Sequence, residues 1–213
     1  MAISITLHPY ALTSLDMMKD HLGIPDLTTT QDERLKRHIN AATDMLENLT
    51  DRVLKARTAD QVDYQSGRSN NRILLGQWPV NSVTELWVDG SSDFTDVSKI
   101  IDPGNYRIET DSRGNGIGIA MTKGCKFPKG VENIKIVYSG GYLVVPSDLE
   151  EACIFLTDFL DDLRSDRRVG LTQKGKNQEN VTFLETLPMW MQNIIDKYSR
   201  SEWPLGYTPV ENG

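Results

Sequence analysis

The sequence predicts an α+β fold: a helical bundle of about four helices with a small, mostly antiparallel β-sheet inserted between helices 2 and 3. Three observations carry that prediction. Apolar residues recur at helical spacing near the N-terminus and again after Ser147. From Arg72 to Tyr138 the period switches to the alternation of strands, with turn residues between the runs. The stretch 133–163, NIKIVYSGGYLVVPSDLEEACIFLTDFLDDL, joins the two regimes, because it reads as a strand, a Gly-Gly bend, a proline stop and an amphipathic helix.

The first helix is expected to begin at Thr13 or Ser14 and to end at Leu22. Leu15, Met18 and Leu22 share a face, Gly23 suits the left-handed position after a helix, and Pro25 prevents continuation. Thr30 and Glu33 have the spacing of a capping box for the second helix. Leu35, Ile39, Ala42, Leu46, Leu49 and Val53 then form its apolar stripe, with charged residues opposite. Residues 54–71 are polar and read as a loop or short irregular element.

Five strands are expected: RILLG, VTELWVDG, NYRIET, GIGIAM and NIKIVYSGG. The run DSRGNG at 111–116 marks a hairpin turn, and Pro79 punctuates the approach to the second strand. Ser147 and Glu150 have capping-box spacing for the third helix, whose stripe is Leu149, Ala152, Cys153, Leu156, Phe159, Leu160 and Leu163. A fourth helix starts near Pro188 and puts Met191, Ile194, Ile195 and Tyr198 on one side. The expected parts are therefore an N-terminal helical part at 1–71, an inserted sheet at 72–141, a C-terminal helical part at 142–200 with a basic loop at 164–180, and an extended tail at 201–213.

Composition narrows the function classes. A net charge of −7 argues against sequence-independent binding to nucleic acid, which needs a concentrated basic surface. No apolar run reaches the ~18 residues that span a bilayer, and the N-terminus lacks the features of a signal peptide, so no membrane is expected and assembly in the cytoplasm is. Cys125 and Cys153 lack a CxxC neighbour and are expected as free thiols.

The groups that could carry chemistry each meet a plainer explanation. Gly114, Gly116 and Gly118 imitate a nucleotide-binding loop but join two strand-like runs, so they are expected in a hairpin. His8, His21 and His38 have no further ligands at metal-site spacing. Asp148, Glu150 and Glu151 suit the first turn of a helix, and Asp158, Asp161 and Asp162 suit a solvated face or a subunit contact. No catalytic residue, cofactor or metal is expected, and the protein is not expected to be an enzyme. Two segments stand out instead. Arg164, Arg167, Arg168, Lys174 and Lys176 make a basic stretch that fits an acidic partner surface or nearby DNA. Trp203, Pro204, Leu205 and Tyr207 give the tail aromatic and apolar anchors suited to docking on a partner.

The order of these motifs resembles the head–tail connector (adaptor) proteins of tailed double-stranded DNA phages. The likeness is carried by Pro79–Val83, by the strand at Tyr106 and by the run from Tyr138 to Leu149, and it spans about Leu12 to Leu163. It implies a homo-oligomeric ring, usually of twelve copies, docked under the portal protein in the neck of the virion. Such a ring extends the DNA channel, lets DNA pass without specific binding, and offers a surface to the stopper or tail-completion protein. The resemblance also implies that the tail from Ser201 onward engages the portal. The basic stretch and the acidic helix are candidate opposite-charge patches for a subunit or DNA-channel contact. A stopper or tail terminator is the alternative reading, but those are expected to be mostly β. A phage nucleic-acid enzyme is the third, and it lacks any nucleophile or metal-ligand motif to support it.

Overall fold

The computed structural model describes residues 4–165 and 187–199, with side chains described through Asp162 in the first stretch. The chain divides into two units: one from Met1–Asp51 and Val144–Ser199, the other over Arg52–Leu143.

Among the described residues the helical unit holds four helices: α1 (Leu15–His21), α2 (Asp32–Thr50), α3 (Ser147–Ser165) and α4 (Met189–Tyr198). Ser14 caps α1 by accepting a hydrogen bond from Met17 N–H at 3.2 Å. Gly23 follows the helix at φ +64°, and Ile24 N–H reaches back to Lys19 O at 2.9 Å, the Schellman ending that a glycine at this position allows. Met18, Leu35 and Ile39 are fully buried and pack with Ala11 and Ile154. Of the other stripe residues Ala42, Leu46, Leu149, Ala152, Cys153, Leu156 and Met191 are buried, whereas Leu49, Phe159, Leu160 and Ile194 are half-buried.

Two details of α2 differ from the sequence reading. The capping box does not form: Gln31 holds the N-cap position, and Glu33 instead accepts from Ile5 N–H and from Lys36 Nζ. The carboxylate was claimed by a neighbouring strand of chain that no local spacing reveals. The helix also stops at Thr50, short of Val53. Thr50 Oγ1 turns back to Leu46 O at 2.7 Å, and Asp51 adopts the left-handed conformation at φ +52°.

The sheet unit contains six strands rather than five. They form two three-stranded antiparallel sheets, ordered β1-β6-β3 and β2-β5-β4, where one sheet was expected. The strands are β1 (Gln61–Gln65), β2 (Arg72–Leu74), β3 (Val80–Val88), β4 (Tyr106–Thr110), β5 (Gly116–Met121) and β6 (Ile134–Gly140). Ile73, Leu75 and Ile119 from one sheet meet Val80, Leu86, Ile134, Ile136 and Tyr138 from the other in a single core, which the fully buried Phe127 joins from the loop after β5. The strand β1 lies inside the stretch read as a loop, so the sheet unit begins at Arg52 and not at Arg72. Its apolar residues Val62 and Tyr64 face outward while Asp63 faces inward. Asp63 Oδ2 there accepts from Tyr138 Oη–H and from Gly76 N–H, both at 3.0 Å. A strand with its polar side on the core does not look like one in sequence.

The β4–β5 hairpin forms where DSRGNG predicts it, with Asp111 N–H on Asn115 O at 2.9 Å and Gly114 at φ +83°. Gly116 and Gly118 lie in β5, where a Cβ on Gly118 would stand 2.2 Å from Ile73 O. They are packing glycines, not a phosphate cradle.

Candidate subunit-contact surface

The acidic face of α3 is drawn together by the other helices. Asp161 Oδ1 takes the Arg34 guanidinium at 2.9 Å and His38 Nδ1 at 3.3 Å, and all three side chains are largely buried. Asp158 stands 3.6 Å from His21 Nε2 on α1. Asp162 is the exposed member of the trio. So Asp161 binds α3 to α2 inside the unit, and Asp158 lies beside α1. Local spacing could not separate an inward from an outward carboxylate, because both lie off the apolar stripe.

The N-terminus of α3 is tied to α4. Asp148 accepts from Lys197 Nζ at 2.5 Å and from Tyr198 Oη–H at 2.7 Å. Partial burial raises the carboxyl's pKa, but these two donors and the nearby ammonium outweigh it and hold the value below the usual carboxylate range. Trp190 packs edge-on against Phe155 at 5.3 Å, and Met189 beside it is exposed. Glu150, expected to close a capping box, takes a hydrogen bond from Thr13 Oγ1 at 3.4 Å.

Other predicted residues take quiet positions. Cys153 is buried against Thr43, and burial pushes its thiol up to about 11, so it is an inert core thiol. His8 packs at a tilt against Tyr10, and the three histidines do not converge. Among the described residues no group of three or more His, Cys, Asp or Glu is arranged to hold a metal ion, and no helix is long and apolar enough to cross a membrane. Arg164 lies in the last turn of α3, but its side chain falls outside the described residues. Arg167, Arg168, Lys174, Lys176, Trp203, Pro204, Leu205 and Tyr207 also lie outside them.

Sequence reasoning passed over the cations of the sheet unit. Lys123, Lys126 and Lys129 recur every third residue in TKGCKFPKG, beside turn glycines, and that spacing was the available signal. All three are exposed.

The chain is thus a helical unit interrupted in sequence by a sheet unit, with Asp148 and Asp161 of α3 tied to the neighbouring helices. A family model for head completion proteins matches residues 11–201, and the chain belongs to that family. Its role is structural and not enzymatic. Among curated proteins none matches the chain. Three solved structures share the fold. A chain from the neck of an empty gene transfer agent particle, computed with C6 symmetry, aligns at TM-score 0.57 and 17% identity, covering 92% of this chain and 94% of that one. A chain from the virion of a native gene transfer agent particle aligns at 0.52 and 18%, covering 90% and 93%. A chain from the native neck computed with C12 symmetry aligns at 0.50 and 18%, covering 93% and 94%.

Proposed function

We propose that the chain is an adaptor of a phage-type neck: copies form a ring that docks on the portal protein, continues the DNA channel and presents a surface to a stopper or tail-completion protein. The observation that carries this reading is the whole-length match. A head completion family model spans residues 11–201, and a neck chain of a gene transfer agent shares the fold across more than nine-tenths of both chains. The symmetries in which those necks were computed, C6 and C12, support a closed ring and fit the expected twelve copies. The four helices favour an adaptor over a stopper or tail terminator of mainly β structure.

In this reading the tail docks on the portal through Trp203, Leu205 and Tyr207, with Pro204 limiting the entropy lost. The stretch holding Arg164, Arg167, Arg168, Lys174 and Lys176 faces a neighbouring subunit or the DNA channel. A ring whose copies each carry −7 presents an acidic body along which DNA slides without sticking. Negative-stain images of the chain mixed with its portal test the proposal. A cylindrical extension of the portal is expected, and a monodisperse monomer without portal affinity overturns it.

A further inference from the structure

One end of the sheet unit is a rigid cationic tip. Residues 66–71 and 122–132 are joined by Phe127 N–H to Asn70 O at 2.8 Å, Gly130 N–H to Gly67 O at 3.1 Å and Glu132 N–H to Ser66 Oγ at 3.0 Å. Asn133, 2% exposed, fastens both loops from beneath. Its Oδ1 accepts from Gly67 N–H at 2.8 Å and its Nδ2 donates to Pro128 O at 3.1 Å. The approach is so close that a Cβ on Gly67 would lie 1.8 Å from Pro128 O. Arg68, Lys123, Lys126 and Lys129 project from this platform, all exposed, and Val131 beside them is 81% exposed. Among the described residues Arg68, Lys126 and Lys129 have no ion-pair partner.

The chain's charge is unevenly shared. Arg52–Leu143 has 12 Lys and Arg against 10 Asp and Glu, a net of +2, whereas Met1–Asp51 with Val144–Ser199 has 10 against 18, a net of −8. On α1 and the turn after it, Asp16, Asp20 and Asp26 are exposed and, among the described residues, have no ion-pair partner. Met17, next to Asp16, is 45% exposed and Leu27, next to Asp26, is 97% exposed. This is an acidic surface with apolar side chains, the counterpart of a basic tip with an exposed valine.

We propose that the Arg68–Lys123–Lys126–Lys129 tip docks on the Asp16–Asp20–Asp26 surface of a neighbouring copy. The inference rests on the ring reading and names one of its contacts. A ring closes through two different patches on each chain, and these two are complementary in charge and in apolar content. The tip is pre-ordered by Asn133, so docking costs little loop entropy. Nucleic acid fits it less well: the unit is only +2, and Phe127, the sole aromatic residue of the two loops, is buried rather than available to stack on bases.

The test uses full-length chain mixed with its portal, scored by electron microscopy and native mass spectrometry. The variant R68E/K123E/K126E/K129E and the variant D16K/D20K/D26K are each expected to fail to assemble, with folding checked by circular dichroism. Mixed together they are expected to recover rings, because each then meets a partner of opposite charge. The milder K126S/K129S is expected to raise the concentration for half-assembly by about fivefold, in line with two exposed pairs. If wild type and the tip-reversed variant assemble alike, this contact is wrong while the ring stands. If two folded reversal variants stay apart when mixed, the pairing is likewise wrong. Loss of binding to a labelled DNA duplex with assembly intact would assign the tip to phosphate and overturn the proposal. Failure of the wild type to assemble removes the ring reading itself, and this contact with it.

Discussion

The helical unit and the sheet unit hold their chain in place by different chemistry. In the helical unit, apolar stripes on α2, α3 and α4 do most of the packing, and ion pairs such as Arg34–Asp161 and Lys197–Asp148 fix how the helices meet. In the sheet unit, few long elements exist, so buried polar side chains tie loop to loop: Asn133 to Gly67 and Pro128, Asp63 to Gly76 and Tyr138, Asp89 to Ser91 and Phe94. Ser91's backbone amide and hydroxyl, with help from Phe94, bring the Asp89 carboxyl down to about 2. The difference teaches where each unit is vulnerable. A helix pair tolerates the loss of one ion pair because its apolar seam remains. The loops joined at Asn133 keep only a few backbone-donated hydrogen bonds and the Phe127 side chain once that asparagine is removed.

The largest effects should come from emptying each core in turn. Phe127 and Leu46 are both fully buried. Phe127→Ala is expected to destabilise the sheet unit by about 3–5 kcal/mol, and Leu46→Ala the helical unit by about 2–5 kcal/mol. Hydrogen exchange followed by mass spectrometry separates them: each variant should lose protection chiefly in its own unit. Equal loss across Arg52–Leu143 and the helices would mean that the two units unfold as one.

Next in size are the polar ties. Asn133→Ala strips two hydrogen bonds from a 2% exposed site and leaves Gly67 N–H without its partner, at an expected cost of about 1–3 kcal/mol. Gly67→Ala, whose Cβ would meet Pro128 O, should disturb the same tip. Asp161→Asn removes the negative charge that meets Arg34, and about 1–2 kcal/mol is expected because the site is largely but not wholly buried. Urea titrations rank the three. If Asp161→Asn cost more than Asn133→Ala, the contrast between seam and loop would be wrong.

The helices were legible because their information is local. Gly23, Pro25 and the 4-3 spacing of α2 sit within one or two turns of what they control, and the structure bears out α1, α2, α3 and α4. The DSRGNG hairpin was legible for the same reason. What failed was non-local. Glu33 was drawn to Ile5, which sequence spacing does not announce, and β1 hides because Asp63 and Gln65 occupy the inward positions that apolar residues normally mark. The candidate site divides the same way. A run of basic residues can be seen in sequence, but whether a carboxylate on α3 faces Arg34 or water depends on where another helix crosses.

The smallest predicted effect concerns the α3–α4 tie and carries a pH signature. Asp148 has a folded pKa below its ordinary value of 3.8, so the stability it contributes is complete above that value and is lost as the pH falls through the folded value. With both side chains more than a third exposed to solvent, the Asp148–Lys197 pair is worth no more than about 1 kcal/mol. Hydrogen exchange of the Met189–Tyr198 amides should therefore speed up modestly below pH 4, ahead of the α2 amides packed in the seam. Asp148→Asn should show the faster exchange already at neutral pH and lose the pH step. If α4 of that variant kept the wild-type step, the acid sensitivity would belong to another carboxylate, and the helical unit would be holding α4 by its apolar seam alone.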